Sequence, residues 1–400
     1  MKRKDAFLIA VFFGLCIFVN AADQAVLVHN TRQDIETCKG KLKLKLVRVW
    51  GGDEEEDEHK FFKTPIYVVM DKQGLVYICD SHNHHIKVFE DSGKYVRTIG
   101  RRGRGPGDLY CPIFMTLSPD GDLLVLELSG YRIQRFNPEG KSKKIIKTHD
   151  YIYWVGVTSK DQLLVYDPQK TLHSRKLLSL RDDRGNTVKE IGAYHDKAKT
   201  FLGSDKLSFA IDDEDNIYAM NRKAPVIRKY TPDGKMVMAI TFDPPFELPV
   251  KISLNERGDE IKRVEDEDYT DEYRETRSGK SITIQGEGKR RKGVCSYIGM
   301  DPEKRIYLVT LKRIRTIEEI KKGPIVMWSK KFVKVVDREK ASEQKLDYLR
   351  ILVFNPEGKV IAEAPLSTRC TNMYVSGNRM FIMDTAINQR ILEYEMHFED

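Results

Sequence analysis

Residues 65–99 read PIYVVMDKQGLVYICDSHNHHIKVFEDSGKYVRTI, and how this stretch divides decides the fold. It holds four short runs rich in β-branched and aromatic side chains: Pro65 to Met70, Val76 to Asp80, Ile86 to Phe89 and Tyr95 to Ile99. Asp, Ser, Asn and Gly separate them, residues that turn a chain back on itself, so the runs read as four antiparallel strands, a to d. The unit then repeats. Gly74, Phe89 and Gly93 recur 47 residues later as Gly121, Phe136 and Gly140, and Tyr230 and Gly234 follow at twice that interval. A four-stranded unit at this period is one blade of a β-propeller.

Working outward, a second unit runs from Pro112 to the Asn137-Pro-Glu-Gly140 turn and its following strand, and a less regular third spans Tyr151 to Ile191. A fourth covers Leu207 to Phe242. The next Phe and Gly, Phe354 and Gly358, come 124 residues after Tyr230 and Gly234, so two charge-rich insertions interrupt a fifth blade: Lys251 to Gly293 and Lys312 to Asp347. Val294 to Leu311 then supplies strands a and b, and Leu349 to Leu366 strands c and d. Thr371 to Tyr394 gives three strands of a sixth blade and no fourth. The missing strand stands at the other end, where Leu42 to Trp50 precedes Gly51 just as strand d of blade one precedes Gly100. The predicted fold is all-β: a six-bladed propeller in residues 22–400 whose last blade is completed by an N-terminal strand, which removes open sheet edges.

Asp80-Ser-His-Asn-His-His-Ile86, the ending Asn388-Gln-Arg390-Ile391 in blade six, Arg132-Ile133 in blade two and the link Gly105-Pro-Gly107 together resemble NHL-repeat six-bladed propellers of the bacterial exported type. The likeness spans most of residues 42 to 396; it departs from the pattern at His85, where that family has Arg, and at both insertions. The resemblance implies a scaffold that binds protein or RNA, while related six-bladed rings that act as lyases or lactonases keep an enzyme in play.

Strand parity locates the functional surface. In an up-and-down blade the a–b and c–d turns leave from one pole and the b–c turns and interblade links from the other. The first pole carries only tight turns such as Ser118-Pro-Asp-Gly121 and Thr231-Pro-Asp-Gly234. Every long connection (Gly51 to Thr64, Gly100 to Cys111, His195 to Lys206 and both insertions) belongs to the second, and loops of that length commonly carry function. The candidate ligand face therefore comprises His82, His84, Arg101, Arg102, Tyr110, His149 and His195.

The leading reading is a binding scaffold without a cofactor. The alternative is a lyase- or lactonase-type enzyme holding zinc or calcium at the channel mouth through His82, His149 and His195. Acids that close strand b, Asp80, Glu127, Asp167 and Asp384, could ring a cation, but the pattern fits acceptors for their own turns better, because Asn221 and Thr310 stand there in blades four and five. The arginines of Gly100-Arg-Arg-Gly-Arg-Gly105 precede a strand rather than a helix and so read as a link, not a phosphate loop. Neither Gly-x-Ser-x-Gly nor His-Glu-x-x-His occurs.

Lys2, Arg3 and Lys4 precede an apolar run from Ala6 to Val19 and then Asn20-Ala21, the make-up of an export signal over residues 1–21; the run is short for a membrane span. The formal charge of +8 becomes +6 without these residues. An exported chain seldom meets nucleic acid, so the expected partner is a protein or an extracytoplasmic polymer, outside the cytoplasm and without a transmembrane span. Five cysteines remain, an odd number without any CxxC spacing, and free thiols are expected. Mass spectrometry of the exported protein should find Ala22 or Asp23 at the N-terminus; a chain still carrying residues 1–21 would refute the signal.

Overall fold

The computed structural model describes residues 25–51, 59–128, 131–148, 152–168, 176–193, 207–221, 225–243, 250–254, 260–265, 274–277, 280–283, 295–312, 347–385 and 389–399. Alternating apolar residues in these short runs pair into six four-stranded antiparallel sheets, blades one to six in chain order, at 65–99, 112–147, 154–193, 207–242, 295–366 and 372–398. The innermost strands of successive blades touch all the way round, and blade six returns to blade one. The repeated aromatic of strand c is core in every blade that carries it: Phe89, Phe136, Tyr230 and Phe354 are all buried.

The turn glycine of strands c and d recurs for a steric reason that sequence spacing does not reveal. Gly140 has φ +87°, and a Cβ there would lie 2.8 Å from Ile99 in strand d of the preceding blade. Gly358, at φ +82°, meets Ile240 of blade four in the same way. Each turn is a lid on its neighbour, so a side chain would be strained twice.

The ring closes as its sequence predicts. The strand Leu42–Gly51 pairs antiparallel with Arg390–Phe398 from Leu42 opposite Phe398 to Gly51 opposite Arg390, completing blade six. Strands Cys295–Met300 and Ile306–Leu311, then Leu349–Phe354 and Val360–Leu366, form blade five. The first insertion thus leaves blade four after Phe242 and enters blade five at Cys295, and the second leaves strand b and enters strand c, so both attach at one pole. Within the first, Val250–Leu254 pairs with Glu260–Glu265 and Arg274–Arg277 with Lys280–Thr283. The acidic run Asp53 to Glu58, residues 313–346 and the N-terminal 24 residues lie outside the described part.

The sequence reading missed what precedes the closing strand. β1 (Val26–Asn30) adds in parallel to the outer edge of blade four, pairing Val26 with Met238 through Asn30 with Phe242. α1 (Arg32–Thr37) follows, started by a capping box in which the Thr31 hydroxyl accepts from Asp34 N and the Asp34 carboxylate accepts from Thr31 N. Its Ile35 is 2 % exposed, set among residues of blades four and five such as Ile240, Ile306 and Phe354. Lys39 then bridges to Glu363 of blade five before the chain enters blade six. One N-terminal segment therefore straps three blades.

Asn30 is the rivet. It is fully buried; its Nδ2 donates to the Thr241 carbonyl of blade four at 3.2 Å and the Gly358 carbonyl of blade five at 3.0 Å, and its Oδ1 accepts from Val360 N at 2.8 Å. Among the described residues no helix is long and apolar enough to cross a membrane. Asn30→Ala should lower unfolding stability in urea by about 1–3 kcal/mol, the cost of leaving buried backbone partners unmet, whereas Leu27→Ala on the exposed side of β1 should change it by less than about 0.5 kcal/mol.

Candidate functional site

Strand b of blade one ends at Asp80, after which a 3-10 turn, Ser81–Asn83, delivers His84 at φ +59°. Asp80 is fully buried, and its carboxylate accepts from Lys63 N at 3.0 Å, Thr64 N at 2.8 Å and Asn83 Nδ2 at 2.8 Å. It ties the incoming link to the b–c turn. Glu127 does the same in blade two, accepting from Tyr110 N at 2.7 Å, Arg132 Nε at 2.9 Å and Gln134 Nε2 at 2.8 Å. Asp384 accepts from Thr368 and Arg390 in blade six. Asp80, Glu127 and Asp384 are thus architectural anchors, but among the described residues only Asp80 accepts from its own b–c turn, through Asn83; Glu127 and Asp384 accept from the segment entering the blade and from strand c.

Arg132 also shapes the glycine-rich link. Its guanidinium donates to the carbonyls of Arg104 at 2.6 Å and Asp108 at 2.9 Å, so the loop is bent over a fixed donor, while its own Arg101, Arg102 and Arg104 are exposed. Arg101 is 87 % exposed and pairs with Asp108 at 3.0 Å. Arg102 and Arg104 lie over the Tyr110 ring at 5.9 and 6.0 Å, and His84 stacks on its neighbourhood at 5.1 Å between ring centroids, nearly parallel. The His84 Nδ1 accepts from Cys111 N at 3.0 Å, and the His82 Nδ1 lies 2.6 Å from the Thr64 hydroxyl. The structure thus brings His82, His84, Arg101, Arg102 and Tyr110 to one patch. His149 and His195 lie outside the described residues. Among the described residues no group of three or more His, Cys, Asp or Glu side chains is disposed to hold a metal ion, and Cys38, Cys79 and Cys111 are free thiols.

The patch is electropositive. Burial first, then Arg102, His82 and Lys63, hold the His84 imidazole below its ordinary range, with Asp80 opposing. This is the local field an anion would meet.

The sequence reading reached the channel only through the alternative metal site at its mouth and did not single out the residues that line it. At one register of strand a, the six blades carry Tyr67, Phe114, Trp154, Ser208, Tyr297 and Asn372, opposite Cys79, Leu126, Tyr166, Met220, Val309 and Met383 of strand b. Tyr67 and Phe114 lie 4.1 Å apart by ring centroids, and Phe114 and Trp154 4.4 Å. These packed rings divide the channel into a cavity of about 310 Å³ toward the hairpin turns and one of about 290 Å³ open toward the links. The signal was present as an aromatic shortly after each link, but side-chain alternation alone cannot say which residues meet at an axis.

Residues 58–281 match a family described as a six-bladed β-propeller, DUF5128. No curated protein matches the chain. Among solved structures, a member of the DUF4221 family from Bacteroides vulgatus is similar with a TM-score of 0.57 at 10% identity, over 90% of this chain and 99% of that one. A candidate exported protein of Bacteroides fragilis is similar with a TM-score of 0.57 at 10% identity, over 94% and 100%. Virginiamycin B lyase of Staphylococcus aureus aligns over 88% and 99% at 12% identity with a TM-score of 0.45, a likeness that carries no argument about activity.

His85 replaces the arginine that faces the acid in blades two and six, and its Nε2 lies 3.9 Å from the Asp80 carboxylate. Burial pushes its pKa below 6.5, Asp80 opposes, and Lys87 and His84 add to the lowering. The unfolded chain takes up this proton at about pH 6.5 and the folded chain only lower, so stability is full above that pH and is lost as pH falls below it. The urea midpoint should fall between about pH 7 and pH 5, and His85→Arg should flatten that slope. An unchanged slope would assign the acid sensitivity elsewhere.

Proposed function

The chain belongs to the DUF5128 family of six-bladed β-propellers, and from that premise we propose that it is an exported binding scaffold whose link pole engages an anionic segment of a protein or extracytoplasmic polymer. One observation carries the reading: the pole to which both insertions attach also holds Arg102 and Arg104 over Tyr110, with His84 stacked on the same ring and the exposed Arg101 in the same link. Arginine over an aromatic ring keeps its donors in a fixed plane and is less hydrated than lysine, which suits carboxylate, sulfate or phosphate oxygens. The NHL-like turn residues of blade one serve here to hold the patch in place. The export signal of residues 1–21 supports an extracytoplasmic site of action, and the exported description of the Bacteroides fragilis neighbour points the same way.

Poly-L-glutamate is the probe of choice, titrated by calorimetry at low salt. The double variant Arg101→Glu/Arg102→Glu should weaken binding by about tenfold or more, and raising salt to about 0.15 M should weaken the native protein's binding as screening shortens to about 8 Å. Lys72→Glu/Lys141→Glu, two exposed residues at the opposite pole, should leave it unchanged. Equal loss in both variants would mean net charge alone drives binding, and the proposal would fail.

A further inference from the structure

The cavity of about 290 Å³ at the link end of the channel is built differently on each side. Ile66, Ile113, Phe114 and Leu128 of blades one and two make an apolar wall. Trp154 of blade three and Tyr297 of blade five present near-parallel rings, 24° between planes and 6.4 Å between centroids. Blade four, which lies between them in the ring, contributes the small Ser208 at that register, with Leu207 beside it. Blade six supplies the polar side with Thr371, Asn372 and Thr385.

The polar side is half satisfied in a particular way. Asn372 is 8 % exposed, and its Oδ1 accepts from Met373 N at 2.9 Å, while the amide Nδ2 has no hydrogen-bond partner among the described residues and borders the cavity. The Thr371 hydroxyl donates to the Met383 carbonyl at 2.8 Å. Its contact with Thr385 at 2.8 Å must then take the Thr385 proton, which leaves the Thr385 oxygen as an acceptor. Ser208 Oγ accepts from Ile298 N at 3.4 Å and keeps its proton to give. The cavity therefore offers a donor and an acceptor side by side on blade six, a second donor on blade four, and aromatic faces between. The Asn372 amide faces the cavity with its donors uncommitted to protein groups, so a ligand hydroxyl placed there gains a hydrogen bond without displacing an internal one.

We infer that this cavity binds a neutral sugar ring. A pyranose has a C–H face that packs on aromatic rings and an equatorial rim of hydroxyls that both give and take hydrogen bonds, which matches the two kinds of wall. Among the described residues no Asp, Glu, Lys, Arg or His lines the cavity, so there a charged ligand would be desolvated without a counter-charge. The volume is at the small end of ligand pockets, room for one ring with part of a second. None of these residues belongs to the Arg101–Tyr110 patch, so the site goes beyond the anionic contact proposed above and can hold or fail independently of it.

The test uses the mature chain and saturation-transfer NMR with glucose, galactose, mannose and N-acetylglucosamine, alongside glucuronate and phenol. At least one neutral sugar should show transfer to its C–H face, and the same sugar should shift the fluorescence of the native protein. Asn372→Ala should weaken its binding about fivefold or more, the value of one lost hydrogen bond. Trp154→Phe, which keeps an aromatic ring in the core, should abolish the fluorescence shift, while Trp50→Phe should retain it. Arg101→Glu/Arg102→Glu should bind the sugar as the native protein does. Absence of transfer to all four neutral sugars, preference for phenol or glucuronate, or binding indifferent to Asn372→Ala would overturn the inference.

Discussion

Everything in this molecule depends on the pairing of its two chain ends. Leu42–Gly51 and Arg390–Phe398 complete the sixth sheet, and a ring of sheets keeps its faces buried only while every blade has two neighbours. The joint is locked by Glu393, which is fully buried yet accepts from Trp50 Nε1 at 2.9 Å, from Arg48 at 3.2 Å and from Arg379. Both arginines also reach Asp91 in the c–d turn of blade one. A single carboxylate thus ties the N-terminal strand to blade six and, through two guanidiniums, to blade one. With three donors around it, this buried charge avoids the penalty that an unpaired one would suffer.

The same segment that closes the ring also grips it from outside. β1 extends blade four, Ile35 fills the crevice between blades four and five, and Asn30 bonds to both before the chain reaches blade six. The two insertions leave from this half of the ring, where chain connectivity is most interrupted. Because 52 residues separate Phe242 from Cys295, contacts between blades four and five carry a larger loop-closure cost than those between blades one and two. The strap offsets it with hydrogen bonds and apolar burial that do not depend on the insertion.

A division of labour runs along the axis. The acids that recur at the end of strand b, Asp80, Glu127 and Asp384, spend their hydrogen bonds on neighbouring link and strand groups and so position loops rather than ligands. The groups left with capacity to spare are others: the arginines over Tyr110 and the Asn372 amide at the channel. Blade one shows the cost of departing from the repeat, since His85 in place of arginine leaves its carboxylate a partner that loses its charge where the others keep theirs.

The sequence alone was enough for the number of blades, nearly all strand boundaries, the N-terminal closure and the pole from which the long connections leave. These follow from short-range rules: alternation along a strand, turn chemistry at Gly and Asp, and the parity of an up-and-down sheet. It also placed His82, His84, Arg101, Arg102 and Tyr110 together, because a b–c turn and the next link share a pole. What only the tertiary structure decided were β1 and α1, the burial of Asn30, the Glu393 joint and the aromatic tier interrupted by Ser208 and Asn372. Each joins residues far apart in the chain, at separations up to 345 positions for Arg48 and Glu393. No local pattern encodes which side chains face one another across a ring; only its closure does.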